Sequence, residues 1–338
     1  MSKQNCRIAI GAGAGILLLI LDGRTALSGA TKGLELCINT LIPSLFPFIV
    51  LSILLTGALA GQTLTLLRPI AFACKAPRGT ESLLAVSVLG GYPVGAQNIS
   101  LMHSRGQLTT KQASRMLAYC NNAGPAFIFG VLGTMFSDIK IAVLLWLVHI
   151  SSAFIVGAVL PGGTTQIRVN TLQKNIRMTD ALVQSVKVMS LICSWVLLMR
   201  MVLAFLDVWF LWRFPRILQV MIAGFLELSN GCIRLAEIEI EGLRFIIASG
   251  FLSLGGICVT LQTASVIDGI SMELYFPGKI LQCCISIILC CVLQFIFPAQ
   301  SRCAPNVIAI TAIAATGIIL SIIYYSEKNS GIPAIHGV

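Results

Sequence analysis

The chain has 338 residues, of which 57% are hydrophobic and only 11% charged, with a mean hydropathy of +0.91. Soluble domains carry about 25% charged residues, so this composition cannot cover a globular surface and excludes an ordinary soluble protein. The formal net charge of +10 suits loops held at an anionic membrane surface, and nucleic acid is not an expected partner because no basic run is interleaved with exposed aromatics.

A bilayer-crossing helix needs about 20 mostly apolar residues, and such stretches recur along the chain. Lys3 and Arg7 precede an apolar run over 8–21, followed by Ala26-Leu27-Ser28. This is signal-peptide grammar, but with so many later spans a retained N-terminal helix over 1–30 is the expectation. Gly11, Gly13 and Gly15 have no strand before them and read as small residues that let helices approach closely. The next segment, 34–60, holds two prolines four apart, Pro43 and Pro47; it either crosses the membrane or folds back as a re-entrant hairpin. Segments 82–104 and 112–135 are apolar but interrupted by Pro, Gly and Asn. Thr109 followed by Gln112 predicts a capping box for the second of them.

Residues 139–160 form an uninterrupted span, and a connecting loop covers 161–182. The span 183–206 ends near Arg200 and Asp207, where long side chains can snorkel. Trp209 and Trp212 beside Arg213 and Arg216 read as an interfacial belt. Segment 217–235 is interrupted, and Glu237, Glu239 and Glu241 read as a solvated loop. Segments 243–267, 277–298 and 305–325 complete the series, the last followed by a short tail. The twelve cysteines fall mostly inside apolar segments, as in Cys283-Cys284 and Cys290-Cys291, where a thiol behaves as a small hydrophobe. His103, His149 and His336 lie far apart and no CxxC occurs, so neither a metal site nor a cofactor is expected. With no GxxxxGK[ST], HExxH or GxSxG, nothing points to an enzyme.

The interrupted segments carry the information. An unsatisfied backbone group in lipid costs several kcal/mol, so irregular backbone persists at membrane depth only where protein or a water-filled cavity satisfies it. The run from Leu89 to Asn98 contains Gly90, Gly91, Pro93 and Gly95, which cannot sustain a regular helix. The next segment repeats the interruption at Asn121-Asn122-Ala123-Gly124-Pro125. Two weak internal repeats emerge when Gly91 is placed over Gly224 and Gly124 over Gly255, offsets of 133 and 131 residues. Paired interrupted helices in two halves point to a secondary-transporter site. The predicted fold is thus an all-α polytopic membrane protein with a first repeat over 31–160 and a second over 183–300. An N-terminal helix and a C-terminal helix with its tail (301–338) flank them. If 34–60 is a hairpin, three crossings per half make the repeats inverted; if it crosses, four make them parallel.

The runs GGYPVGAQNI, LAYCNNAGPAFIFG, GFLELSNGC and LGGICVTLQ, in this order, resemble the sporulation integral membrane protein family of the YlbJ type. That family belongs to the nucleoside-recognition, or Gate, domain group, and the resemblance covers roughly residues 30–300. It implies a spore-forming bacterial source and a place in the cytoplasmic membrane or the membrane around the forespore. A role in making a heat-resistant spore and inverted halves with interrupted helices are implied too.

Glu227 is the leading site candidate, because a carboxylate in an otherwise uncharged apolar run costs about 2.5–3.5 kcal/mol on insertion scales and is functional by default. Asn230, three residues on, shares its helix face. Gln97, Asn98, Asn121 and Asn122 in the first half and Gln262 in the second offer amides to a small polar solute, nucleoside-like or otherwise, or to sodium. The helix breaks themselves involve Gly91, Pro93, Gly95, Gly124, Pro125, Gly255 and Gly256. The expected function is a secondary transporter or permease for such a solute, coupled to protons or sodium. The alternative is a non-transporting scaffold that recruits other sporulation membrane proteins or a second copy of the chain.

Overall fold

The computed structural model describes residues 3–59, 64–162 and 177–296, together with 313, 315 and 316. Apart from those last three residues, the expected crossing at 305–325 lies outside the described residues, as do residues 163–176 of the connecting loop. Within them the protein is all-helical, and five helical stretches are long and apolar enough to cross a membrane: Gly23–Leu59, Ile139–Val159, Met178–Trp209, Glu241–Val266 and Tyr275–Phe295.

Helix α1 (Lys3–Leu21) lies outside the packed body, and most of its described side chains are exposed. Gly11, Gly13 and Gly15 have no neighbour within 4 Å of where a Cβ would sit, so the expected close helix approach is not made there. It is made instead by α2 (Gly23–Leu36), whose first turn is capped by Asp22 accepting from Thr25 N. Ala26, Gly29, Gly33 and Leu36 recur at spacings of three and four and bury one stripe of α2. That stripe lies on α10 (Met178–Trp209). A Cβ on Gly29 would stand 2.8 Å from Ala204 Cβ and 2.9 Å from Met201 Cα. The two backbones are therefore as close as glycine permits.

A π-helical turn, Cys37–Leu41, carries α2 straight into α3 (Ile42–Leu59). Pro47 lies inside α3 without breaking it. The stretch Gly23–Leu59 is therefore helical over 37 residues, about 55 Å at 1.5 Å per residue. The re-entrant hairpin at Pro43–Pro47 is not formed, and the support it lent to inverted halves goes with it. A proline removes one backbone donor, and the wider π turn just upstream accommodates such a local change in pairing.

The interrupted segments follow. A short helix α4 (Arg68–Ala73) precedes α5 (Glu81–Leu89), the irregular residues 90–93, and α6 (Val94–Ser104). After a turn, α7 (Thr110–Cys120) begins with the predicted capping box between Thr109 and Gln112. It stops at Asn121, and Pro125 opens the single turn α8 (Pro125–Phe127). Helix α9 (Ile139–Val159) comes next, starting at Asp138, and then α10. In the second half α11 (Arg216–Leu226) is interrupted at Glu227 and resumes as α12 (Leu228–Arg234). Helix α13 (Glu241–Leu254) passes through Gly255, left-handed at φ 73°, into α14 (Gly256–Val266). Helix α15 (Tyr275–Ile296) packs along α13 and α9. Each half thus runs helix, break, helix, turn, helix, break, helix. Gly124 and Gly255 both fall in breaks as aligned, whereas Gly224 sits three residues before its break at Glu227.

Two charged groups assigned by sequence to solvated ends, Asp207 and Glu241, are held instead, whereas Glu237 is exposed as expected. Asp207 on α10 receives Arg234 of α12 at 2.5 Å and Arg200 at 3.5 Å, which ties the two elements. Glu241 is 2% exposed and accepts from Ser137 N at 2.8 Å, while Glu237 pairs with Arg216 at 2.7 Å. Trp209 and Trp212 are exposed, as an interfacial belt requires. The eleven described cysteines are free thiols.

Candidate functional site

The four breaks meet at one place. A Cβ on Gly124 would lie 2.9 Å from both Cα and N of Gly91, so the two first-half breaks touch backbone to backbone. Gly91 adopts φ 72°, a region that costs other residues roughly 1–2 kcal/mol. In the second half a Cβ on Gly256 would stand 2.8 Å from Phe225 O and 2.9 Å from Gly224 O. Tyr92 joins the halves: its hydroxyl donates to Leu252 O at 3.1 Å, and its ring lies against Gly255.

A cavity of about 60 Å³ lies between these breaks, with α3 and α10 closing it. At about 10–15 Å³ per water, it has room for a handful of water molecules. The polar groups on its wall are Glu227, Ser229, Gln262, Tyr92 and the backbone of Gly91 and Gly124; Leu45, Phe48 and Val196 are among its apolar side. Glu227 is 2% exposed. Its extended backbone (φ −146°, ψ 121°) makes it the N-cap of α12. One carboxylate oxygen accepts from Ser229 N at 2.9 Å, the other from Asn230 N and Asn230 Nδ2, both at 2.7 Å. A carboxylate offers about four lone-pair sites, so three fixed donors leave room for one more from the cavity. No cation lies within 4 Å of it among the described ion pairs.

Asn121 and Asn122 do not join Glu227. They belong to a neighbouring network centred on Lys279 of α15, which is 1% exposed. Its ammonium donates to Asn121 O, to Gln282 Oε1 at 2.9 Å and to Asn122 Oδ1 at 3.2 Å. Asn121 Oδ1 caps Ala96 N at 3.2 Å and its Nδ2 donates to Thr263 Oγ1 at 2.8 Å. Gln282 Nε2 donates to Asn122 Oδ1 at 3.1 Å and His149 O at 3.2 Å. His149, fully buried on α9, accepts from Ala123 N at 3.0 Å through Nε2. The ring proton then belongs on Nδ1, 3.4 Å from Ser253 Oγ. Gln97 and Asn98 stand apart, half-buried on α6, where Asn98 Nδ2 bonds Val94 O of its own helix at 2.9 Å. Pro93 is the N-cap residue of α6. Gly95 gives α6 room against Cys120 and Asn121, since a Cβ there would overlap the Cys120 carbonyl.

The structure therefore places Glu227 and Gln262 on the cavity wall, ties Asn230 to the Glu227 carboxylate, and places Asn121 and Asn122 in the adjoining network. Sequence reading missed Lys279, Gln282 and His149. The available signal was Lys279 in the first turns of an apolar span, with Gln282 three residues later on the same face.

No family model matches the chain, and no solved structure does. Over 145 residues the sequence is 28% identical to the sporulation integral membrane protein YlbJ of Bacillus subtilis (strain 168). The chain has a sporulation integral membrane protein as a distant homologue. The match takes in 41% of this chain and 35% of the other, so it spans about a third of the relative's length. With five helices apolar enough to cross a bilayer, the protein is integral to a membrane. The similarity supports the sporulation family on which the four sequence motifs converge.

Proposed function

We propose that the protein is a secondary transporter or permease for a small polar solute, acting in spore maturation from the bacterial cytoplasmic membrane or the membrane around the forespore. The observation that carries this reading is the convergence of four helix breaks on one cavity that contains a buried carboxylate. Irregular backbone at membrane depth is tolerated where it lines a cavity, and interrupted helices in corresponding positions of two halves are how transporters build central sites. The matching order of breaks favours two related repeats. Glu227 is the coupling group in this reading, carrying a proton or contacting sodium, with Asn230 orienting it. The cavity joins an apolar side to a few polar groups, which fits a solute with a flat or apolar body and a hydrogen-bonding edge, as a nucleoside has. At about 60 Å³ it is too small for that solute as it stands, so the walls move apart during transport.

The test is uptake into proteoliposomes of purified protein, screened with nucleosides, sugars, amino acids and metal ions under proton and sodium gradients. Accumulation above that of protein-free vesicles is expected for one solute class. Folded, reconstituted protein that accumulates nothing under either gradient would refute transport and leave the recruiting scaffold.

A further inference from the structure

Lys279 lies outside the cavity chemistry and has no carboxylate within ion-pair distance among the described residues. An isolated ammonium in an apolar interior costs several kcal/mol even after relaxation, so what surrounds it has to replace water. It does so with oxygen and aromatic faces. Each of the three ammonium donors has an acceptor: Asn121 O, Asn122 Oδ1 and Gln282 Oε1. The rings of Tyr92 and Tyr275 flank it with centroids 5.3 and 5.8 Å from Nζ, within the range of cation–π attraction. The acceptors are themselves positioned: Asn122 Nδ2 is tied to Tyr119 O at 2.7 Å, and Gln282 by its bonds to Asn122 and His149. With all three donors used, the group has none left for an anion. The surroundings are those of a receptor for a small monovalent cation, and a side chain already occupies it.

We propose that the cage of Asn121, Asn122, Gln282, Tyr92 and Tyr275 is a monovalent-cation site that Lys279 fills from within, so that this centre carries its cation as part of the chain and takes none from solution. Carbonyl and amide oxygens beside aromatic faces suit a primary ammonium best, with alkali cations next. Emptying the cage of its tether opens it to such ions. The proposal is independent of whether the protein transports, because its readout is the stability of the purified protein.

The experiment compares thermal unfolding of wild type, Lys279→Ala and Lys279→Met in detergent. Chlorides of methylammonium, sodium and choline are used at equal ionic strength. Wild type is expected to unfold at the same temperature in methylammonium as in choline. Lys279→Ala should unfold at a lower temperature in choline and recover, saturably, with methylammonium and to a smaller extent with sodium. Lys279→Met, which fills the space without charge, should show the loss and no saturable recovery. If Lys279→Ala does not survive purification in choline, the same comparison is made on yield of folded protein purified in methylammonium. Failure of Lys279→Ala to respond to any small cation overturns the proposal. So does saturable stabilisation of wild type by methylammonium, or equal recovery of Lys279→Met.

Discussion

Glu227 has two duties, and substitutions separate them. As the N-cap of α12 it satisfies three donors, Ser229 N, Asn230 N and Asn230 Nδ2. Glu227→Ala leaves all three buried without a partner. At about 1–3 kcal/mol for each unsatisfied group, the loss is about 3 kcal/mol or more, and the break between α11 and α12 loosens. Glu227→Gln is milder. Its one oxygen can keep both Asn230 bonds, while its amide turns two hydrogens towards Ser229 N, a cost of about 1–3 kcal/mol. Thermal unfolding in detergent is expected to rank wild type above Gln above Ala. Transport is read separately, per folded molecule, as solute exchange and as gradient-driven accumulation. A coupling carboxylate predicts that the Gln variant keeps exchange and loses accumulation, because size and most hydrogen bonding persist while the exchangeable charge is gone. An Ala variant as stable as wild type would refute the capping argument. A folded Gln variant that accumulates solute like wild type would refute coupling at this residue.

Three further outcomes follow from the packing. Single cysteines at Thr31 and Leu66 in a cysteine-free background should label from opposite sides of the membrane, because the helix from Gly23 to Leu59 is unbroken; labelling from the same side would restore the hairpin. Gly29→Ala should destabilise the protein by about 1–3 kcal/mol through overpacking against α10, while Gly13→Ala, with open space at its Cβ, should cost nothing; equal thermal stability of the two variants would contradict the described interface. Gly95→Ala should be the harshest glycine substitution of the three, at about 3 kcal/mol, because it drives α6 into the Cys120 carbonyl and Asn121. Its yield of monodisperse protein, compared with that of Gly29→Ala, checks the order.

Apolar length made most of the helices legible. The spans at 139–160, 183–206 and 277–298 became α9, α10 and α15 with ends shifted by a few residues, and the Thr109–Gln112 cap formed as read. Local chemistry also located the breaks, because glycine, proline and asparagine act on backbone that is only a few residues away. What the sequence obscured were effects set by partners distant along the chain. Pro43 and Pro47 suggested a reversal, yet whether a proline turns a helix or is absorbed depends on the packing around it. Gly11, Gly13 and Gly15 and the pair Gly29 and Gly33 look equally suited to close approach, but only the second set faces α10. Lys279 was missed because two of its three acceptors come from residues more than 150 positions earlier. Asn121 and Asn122 were recognised as polar groups at a break, but their place around Lys279 was hidden for the same reason.

The two buried charges at this centre could have paired with each other, and the protein keeps them apart. A buried ion pair recovers its desolvation cost only when geometry and extra hydrogen bonds are both favourable. Here each charge is satisfied separately by neutral groups, Glu227 by three N–H donors and Lys279 by three oxygens. Those neutral groups sit at or beside the helix breaks: the donors belong to the first residues after the Glu227 interruption, and two of the oxygens belong to Asn121 and Asn122. A regular helix has no free backbone groups to lend in this way, since its N–H and C=O groups are already paired. The breaks are therefore what make isolated charges tolerable at this depth, and the charges in turn hold the breaks in register. Straightening the chain at Glu227 or at Asn121-Asn122 would remove ligands from a buried charge, so these two breaks resist gradual deformation.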